Sequence, residues 1–378
     1  MSDYLFDINI DSSAISSAAV WGNTNLGLNI IELLRKHGIE VKYILEREKW
    51  MQGGIYKGIE VVDPTMILKD DNSIIILASL NKKSIMEMKK FLDMNGVTDS
   101  RVYTLENLIM DDRDLRKDMY HNLKFQVHLV EHCNLNCRGC DHFSPIAEPE
   151  FLEPEEFTKD IARLKDLFPT SSPLITLLGG EPLLHPKVTE FMRISREAFD
   201  DARIDLITNG VLLSRMPEDF WIACQKYRID IRPTKYPVSA DYKGAEEIGA
   251  KYEIKLKYFL DNGTLKMLWK HPLDIDGEQE PAEMFDLCGE SNHCLTLDHG
   301  RLYTCSVAAY NRHFTKYFGV KLKYAGDSNG IDIYKAKDGY EIMKFLSQPI
   351  DMCRHCRVKD RTFDNPWGVT NKQISEWT

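Results

Sequence analysis

The chain has 378 residues, 43% of them hydrophobic, with 48 basic against 58 acidic side chains and a formal charge of −10. That length holds two or more domains with sizeable cores, and the acidic balance argues against a general nucleic-acid surface. No apolar run approaches membrane-spanning length, and the opening Met1-Ser2-Asp3-Tyr4 is neither basic nor followed by an apolar signal block, so a cytoplasmic setting with no membrane or nucleic-acid partner is expected.

In chain order, Ala18-Ala19-Val20-Trp21-Gly22 reads as a strand entering a turn, and a helix is predicted from about Leu26 to His37. Strands follow at Val41 to Glu46, Ile59 to Pro64 and Ser73 to Ala78, then a helix from Lys83 to Asn95. Such alternation predicts a small doubly wound α/β domain over residues 1–112. Gly22-Asn23-Thr24-Asn25-Leu26-Gly27 lacks the middle glycine that lets a backbone approach a pyrophosphate, whereas Glu46 stands where a ribose-binding acid would. A nucleotide site and a plain scaffold or docking domain both remain open.

The next strand is Phe125 to Val130, and directly after it come Cys133, Cys137 and Cys140. Three thiolates within eight residues suit a metal centre, yet a cubane iron–sulfur cluster has four irons, each wanting a ligand. An open coordination position marks a catalytic rather than a structural site. A zinc knuckle is the competing reading, since His132 and His142 flank the run. A helix is predicted from Pro154 to Phe168, with Phe157, Ile161, Leu164 and Phe168 on one face. The strand Leu174 to Leu178 then runs into Gly179-Gly180-Glu181-Pro182, and Ile204 to Ile207 runs into Thr208-Asn209-Gly210. Helices are expected over Lys187 to Phe199 and Pro217 to Tyr227, the second placing Cys224 as an inert buried thiol. Ile229 to Pro237 reads as a fourth strand, whose polar Arg232, Lys235 and Tyr236 would emerge at its far end.

Cys-x3-Cys-x2-Cys after a first strand, with Gly-Gly-Glu-Pro after the second and Thr-Asn-Gly after the third, resembles the radical S-adenosylmethionine (SAM) superfamily. The resemblance implies a partial (β/α)6 barrel over residues 120–272, with the catalytic loops at the C-terminal strand ends. It implies a [4Fe-4S] cluster on Cys133, Cys137 and Cys140, whose free iron takes the amino and carboxylate groups of SAM. It also implies that Gly179, Gly180, Glu181 and Pro182, with Thr208 and Asn209, bind SAM. Arg232, Lys235 and Tyr236 become candidates for the SAM carboxylate or the substrate, against a solvated-loop reading. The family usually has an aromatic residue just before the third cysteine, where this chain has Gly139, so a ring beside the adenine would come from His142 or Phe143.

Asp274 to Glu283 is the clearest linker-like stretch and leads into the region 284–378. There Cys294 to Cys305 looks like a hairpin turning at Asp298-His299-Gly300, which sets Cys294 and Cys305 opposite one another. Cys353-x-x-Cys356 adds a second pair. The eleven residues from Cys288 to Gly300 and the four from Gly300 to Cys305 resemble the auxiliary-cluster extensions called SPASM and Twitch. That resemblance implies a second [4Fe-4S] cluster on Cys288, Cys305, Cys353 and Cys356, with Cys294 competing for the place of Cys288. A zinc ribbon is the alternative.

By resemblance, an electron delivered by a flavodoxin- or ferredoxin-type donor cleaves SAM to a 5′-deoxyadenosyl radical, which takes hydrogen from a substrate carbon. An auxiliary cluster suits an oxidative outcome, with alcohol dehydrogenation and peptide or protein maturation as the two precedents. The N-terminal α/β domain resembles the Rossmann-like domains found beside sugar-modifying enzymes. The expected substrate is therefore a sugar, nucleotide-sugar or polyol, with a peptide maturase and a structural zinc protein as alternatives.

Overall fold

The structure is a computed structural model that describes residues 15–104 except 23, 24, 48, 50, 51, 57, 71, 80 and 81, and residues 123–378 except 170, 260–262, 289, 292 and 293. Residues 112–120, where the first domain boundary is expected, lie outside the described residues. The chain divides into two compact units, one holding Met1–Leu123 with Lys337–Gln348, the other Lys124–Ala336 with Pro349–Thr378.

In the first unit, β1 (Ser17–Trp21), α1 (Asn25–Lys36), β2 (Glu40–Leu45), β3 (Ile55–Tyr56), β4 (Ile59–Val62), β5 (Ile74–Leu77), α2 (Lys82–Met94) and β6 (Val102–Thr104) follow in turn. The sheet order is β3-β4-β2-β1-β5-β6, with every pair parallel except β3 with β4. β1 and β5 are buried along their whole length, which is why they read as unbroken apolar runs rather than alternating ones. Trp21 meets Phe91 of α2 edge-on at 5.3 Å, and Leu77, Met88 and Leu92 close the core between them. Glu46 follows β2, while Asn23 and Thr24 of the degraded glycine turn fall outside the described residues.

The second unit begins with β7 (Lys124–Val130), α3 (Pro154–Leu167), β8 (Leu174–Gly179), α4 (Val188–Ala198), β9 (Arg203–Thr208), α5 (Glu218–Lys226), β10 (Ile229–Pro233) and α6 (Tyr242–Lys251). α3 starts on Pro154 with Glu155 and Glu156 in its first turn, favourable against the positive end of a helix dipole. Its buried face carries Phe157, Ile161 and Leu164, and Phe157 packs on Phe191 of α4 with rings 5.3 Å apart. Cys224 is buried beside the Met192 sulfur, and burial pushes its thiol up. The strands β7 to β10 pair in parallel, so their C-terminal ends lie on one edge of the sheet.

After α6 the chain departs from the expected six-unit repeat. Lys257 and Phe259 donate their backbone N–H to Ile231 and Pro233 of β10, but no further ladder strand forms there among the described residues. β11 (Met267–Lys270) instead joins β15 (Thr362–Pro366) in a separate antiparallel ribbon. The sheet grows on its other edge, where β12 (Thr296–Asp298) pairs in parallel with β7 and continues antiparallel through β13 (Arg301–Tyr303) and β14 (Gly330–Asp332). The hairpin turns through His299 and Gly300, both at positive φ (44° and 69°), the backbone signature of a tight two-residue turn.

Two further expectations are corrected here. Asp274 to Glu283 is an ordered turn and not a linker: the Asp274 carboxylate accepts the N–H groups of Asp276, Gly277 and Glu278 and the Gln279 amide, and the chain on both sides belongs to one unit. Nor do residues 284–378 form one body, since Lys337–Gln348, with its helix Gly339–Leu346, groups with the N-terminal unit. Among the described residues no helix is long and apolar enough to cross a membrane.

Candidate metal centre

β7 delivers the cysteine loop. At its end Glu131 is buried, with its carboxylate beside His313 Nε2 (2.5 Å), His128 Nδ1 (3.3 Å) and Arg312 Nη2 (3.5 Å). Burial would raise that carboxyl, but His128, His313 and Arg312 outweigh it and hold the acid below the usual carboxylate range. A buried, paired carboxylate therefore stands two residues before the first cysteine.

Past that carboxylate the loop winds through left-handed positions at Asn136 and Gly139 and again at Phe143, with φ of 53°, 65° and 56°. Cys133, Cys137 and Cys140 end up close enough to disturb one another. Burial pushes the Cys133 thiol up to about 11, with a contribution from Cys137, and burial, Asp141 and the other two cysteines raise Cys140. The sulfur of Cys133 faces the Leu135 N–H at 3.5 Å and the Asn209 amide at 3.7 Å; that of Cys137 faces the indole N–H of Trp367 at 3.1 Å. A bound cation would deprotonate such thiols and repay their burial.

Gly179 and Gly180 are explained by close approach. A Cβ on Gly179 would lie 2.4 Å from the Val130 carbonyl, and one on Gly180 would lie 2.0 Å from that of His132. The turn is thus pressed onto the base of the cysteine loop, held by Gly180 N–H to Val130 O (2.7 Å) and Glu181 N–H to His132 O (3.1 Å). Pro182 is buried in the short turn that follows.

Glu181 is completely buried. Its carboxylate accepts Leu183 N–H (3.0 Å), Thr208 Oγ (2.6 Å) and Asn209 N–H (2.9 Å), which ties the ends of β8 and β9 together. Burial pushes this acid up to about 7 against those three donors. As placed, the carboxylate braces the loop and is not open to a ligand. Asn209 reaches onward from the brace, donating to Asn134 Oδ1 at 2.7 Å inside the cysteine loop.

The remaining candidates divide. Tyr236 is half-buried beside the three thiols; desolvation, followed by the charges of those thiols, raises its phenol, and its ring lies 6.0 Å from that of Trp367. Arg232 pairs with the buried Asp205 at 2.8 Å, and Lys235 lies over the Tyr258 ring at 4.0 Å. Phe143 is also corrected: it is buried against Phe314, where core packing claims the ring. His142 stays near the loop surface, its Nδ1 at 2.6 Å from His128 Nε2, and His128 stacks on Tyr310 at 3.6 Å.

The distal cysteines sort themselves as well. Cys288 ends α7 (Pro281–Leu287), Cys305 precedes α8 (Ser306–Phe318), Cys353 lies within the short 3-10 turn Asp351–His355, and Cys356 follows it. Burial and the Cys305 and Cys288 sulfurs push Cys353 up to about 12. Burial with Cys356 and Cys288 raises Cys305, and burial with Cys353 and Cys288 raises Cys356. Arg361 Nη2 faces the Cys288 sulfur at 3.2 Å.

Cys294 stands apart from this group, donating to Glu290 Oε2 at 2.9 Å. The hairpin ladder begins only at Thr296 paired with Tyr303, so the cross-strand register does not extend back to Cys294. Among the described residues no three His, Cys, Asp or Glu side chains close on a single-ion site. The donor sets, three thiols and four thiols, fit iron–sulfur chemistry by ligand softness.

In sequence, Asn365-Pro366-Trp367-Gly368 and Glu376-Trp377 fit either a cap over the barrel mouth or a partner surface, and nothing there assigns Trp367 to a cysteine. Trp367 lies 230 residues beyond Cys137, and only the fold brings its indole to that sulfur.

Residues 127–231 match the sequence model of the Radical SAM superfamily. The chain is 32% identical over 97 residues to a GTP 3′,8-cyclase of Microcystis aeruginosa, covering 25% of this chain and 29% of that protein. It is 36% identical over 88 residues to an AdoMet-dependent heme synthase of Methanosarcina barkeri, covering 23% and 24%. It thus spans less than a third of the length of these curated relatives. A solved structure of BtrN in complex with AdoMet and 2-DOIA aligns over 62% of this chain and 92% of that one, at 16% identity and a TM-score of 0.39. The stretch 127–231, which opens on β7 and carries the thiol loop at the C-terminal end of that parallel strand, is thus similar to the Radical SAM superfamily.

Proposed function

We propose that this enzyme reductively cleaves SAM at Cys133, Cys137 and Cys140 and oxidises a carbon centre of a small polar substrate, a sugar, nucleotide-sugar or polyol. When bound there, a [4Fe-4S] cluster supplies the electron that turns SAM into a 5′-deoxyadenosyl radical able to take hydrogen from that carbon. The chain's residues brace and shield the site. Glu181 ties the Gly179–Gly180 turn to the end of β9, its N–H holds the turn to His132 O beyond β7, and buried Val130 and Leu129 exclude water beneath the loop.

One observation carries the substrate class: a web of charged groups joins the two cysteine groups. Asp141, next to Cys140, feels His142, His271 and Arg361, and Arg361 in turn faces the Cys288 sulfur and feels Glu290. His271 adds a buried Nδ1 without a protein hydrogen-bond partner. Such a lining suits hydroxyl-rich or anionic substrates and is costly to leave facing an apolar one. The relatives named GTP 3′,8-cyclase favour a nucleotide-bearing member of the class.

On this reading Cys288, Cys305, Cys353 and Cys356 hold a Twitch-like auxiliary [4Fe-4S] cluster, and a flavodoxin- or ferredoxin-type protein in the cytoplasm supplies electrons. The parallel order of β4, β2, β1, β5 and β6 supports a Rossmann-like N-terminal domain. The test is turnover of the reconstituted enzyme with SAM, reductant and panels of deuterated polyols, nucleotide-sugars and peptides. Deuterium passing from a carbohydrate carbon into 5′-deoxyadenosine is the expected result. Transfer from a peptide alone would overturn the substrate assignment.

A further inference from the structure

The last stretch of the chain forms a strap along the cysteine loop. Arg138 N–H donates to Gly368 O at 2.8 Å, Thr370 N–H donates to Asn136 O at 2.9 Å, and Cys137 bridges Val369 in antiparallel fashion. Trp377 is buried, and its indole N–H reaches the Cys140 carbonyl at 2.8 Å. The Glu376 carbonyl lies over Gly139, 2.9 Å from where a Cβ would stand. Residues 136–140 are therefore contacted at every position by a segment more than two hundred residues away.

The strap is itself held. β15 pairs with β11, Leu273 N–H donates to Trp377 O at 2.7 Å, Lys270 Nζ donates to Ser375 O at 2.9 Å, and the Glu376 carboxylate accepts Asn371 N–H at 2.8 Å. A segment fixed at so many points does not drift over the loop. It defines one wall of the site.

Within that wall a single side chain addresses a sulfur. Trp367 Nε1 lies 3.1 Å from Cys137 Sγ, with its ring 6.0 Å from that of the half-buried Tyr236. An indole offers a donor and no acceptor. A donor aimed at a ligating thiolate stabilises the more negatively charged state, and hydrogen bonds to cysteine sulfurs are among the factors that set the potentials of iron–sulfur clusters.

We propose that the strap 365–378 is a working part of the first cysteine site, in which the Trp367 N–H binds the Cys137 sulfur and raises the reduction potential of the cluster held there. The inference rests on Cys133, Cys137 and Cys140 being cluster ligands. Trp367 is a tuning residue and does not touch substrate. The strap also occupies the space over Gly139, through the Glu376 carbonyl.

The test is a redox titration of the reconstituted full chain, followed by electron paramagnetic resonance on the signal that changes when SAM is added. Trp367→Phe keeps a ring and deletes the donor. The expected outcome is about a tenfold shift of the equilibrium toward the oxidised form, a midpoint about 59 mV more negative for one electron. Trp377→Phe loosens the strap without touching a sulfur and is expected to leave the midpoint in place. An unchanged midpoint in Trp367→Phe at full cluster content, or equal shifts in both variants, would overturn the proposal.

Should Trp367→Phe fail to fold, wild-type protein carrying indole-15N tryptophan gives the same answer. A nitrogen coupling to the reduced, SAM-responsive signal supports the bond, and its absence counts against it. A wild-type protein that binds iron but shows no SAM-responsive signal would instead sink the cluster assignment beneath the proposal.

Discussion

Glu181 carries an unusual load for one side chain. An acid at an ordinary 4.5 in the unfolded chain is pushed up to about 7 by burial in the folded one, despite three donors. Between those values the folded protein binds more protons than the unfolded, so stability attributable to this group is greatest at low pH and is lost as pH rises from about 4.5 to 7. The loss is on the order of 3 kcal/mol at most. Urea unfolding of the apoprotein at pH 5 and pH 8 should show a decline in wild type that Glu181→Gln lacks; parallel declines would show that the carboxyl is not the source. The sequence marked Glu181 as part of a motif but pointed to a ligand-binding role, because a motif does not reveal which atoms a buried acid already satisfies. Arg232 shows a related limit: spacing puts a polar residue at a strand end but cannot reveal its partner, the buried Asp205 on the neighbouring strand.

At the scale of elements, the cysteine loop and the strap behave as one construction. Gly139 is the loop's departure from the family pattern, and the packing explains it. Its φ of 65° lies in the left-handed region, and a Cβ would meet the Glu376 carbonyl at 2.9 Å. A left-handed non-glycine residue costs roughly 1–2 kcal/mol before any clash is counted. Gly139→Ala should therefore lower stability by about 2 kcal/mol and reduce iron retention, and Gly139→Tyr, which restores the family's ring, should do worse. Equal melting temperature and iron content in Gly139→Tyr would contradict the account. The Cys133, Cys137 and Cys140 spacing was legible without a structure, since metal motifs are local. The strap was not. Trp367 and Trp377 sit in no recognisable period, and a contact across some 230 residues leaves no mark in composition or spacing. The turn at Gly300 was legible as turn chemistry, whereas the place of Cys294 was not, because the register argument needed a ladder that starts only at Thr296.

Across the whole molecule, alternating strands and helices were readable as apolar runs such as Ile74 to Leu77 and as the helical face of Phe157, Ile161 and Leu164. What joins which sheet was not, since β12 reaches β7 through pairing far apart in sequence and the repeat yields four parallel units before it changes. The unit boundaries were also hidden, because Lys337–Gln348 returns to the N-terminal unit without any linker composition to announce it. The two cysteine groups nevertheless remain distinct: Cys133, Cys137 and Cys140 influence one another, and so do Cys288, Cys305, Cys353 and Cys356. The proposal of two independent thiolate centres, the first of them cleaving SAM, is the central claim. The most direct measurement is anaerobic reconstitution with iron, sulfide and reductant, counting metal and 5′-deoxyadenosine in wild type and in the triple variant Cys133→Ala, Cys137→Ala, Cys140→Ala. The account predicts about eight irons per chain in wild type, two cubanes, with about half remaining and no SAM cleavage in the variant. Stoichiometric zinc without 5′-deoxyadenosine in wild type, or loss of all iron in the variant, would contradict it.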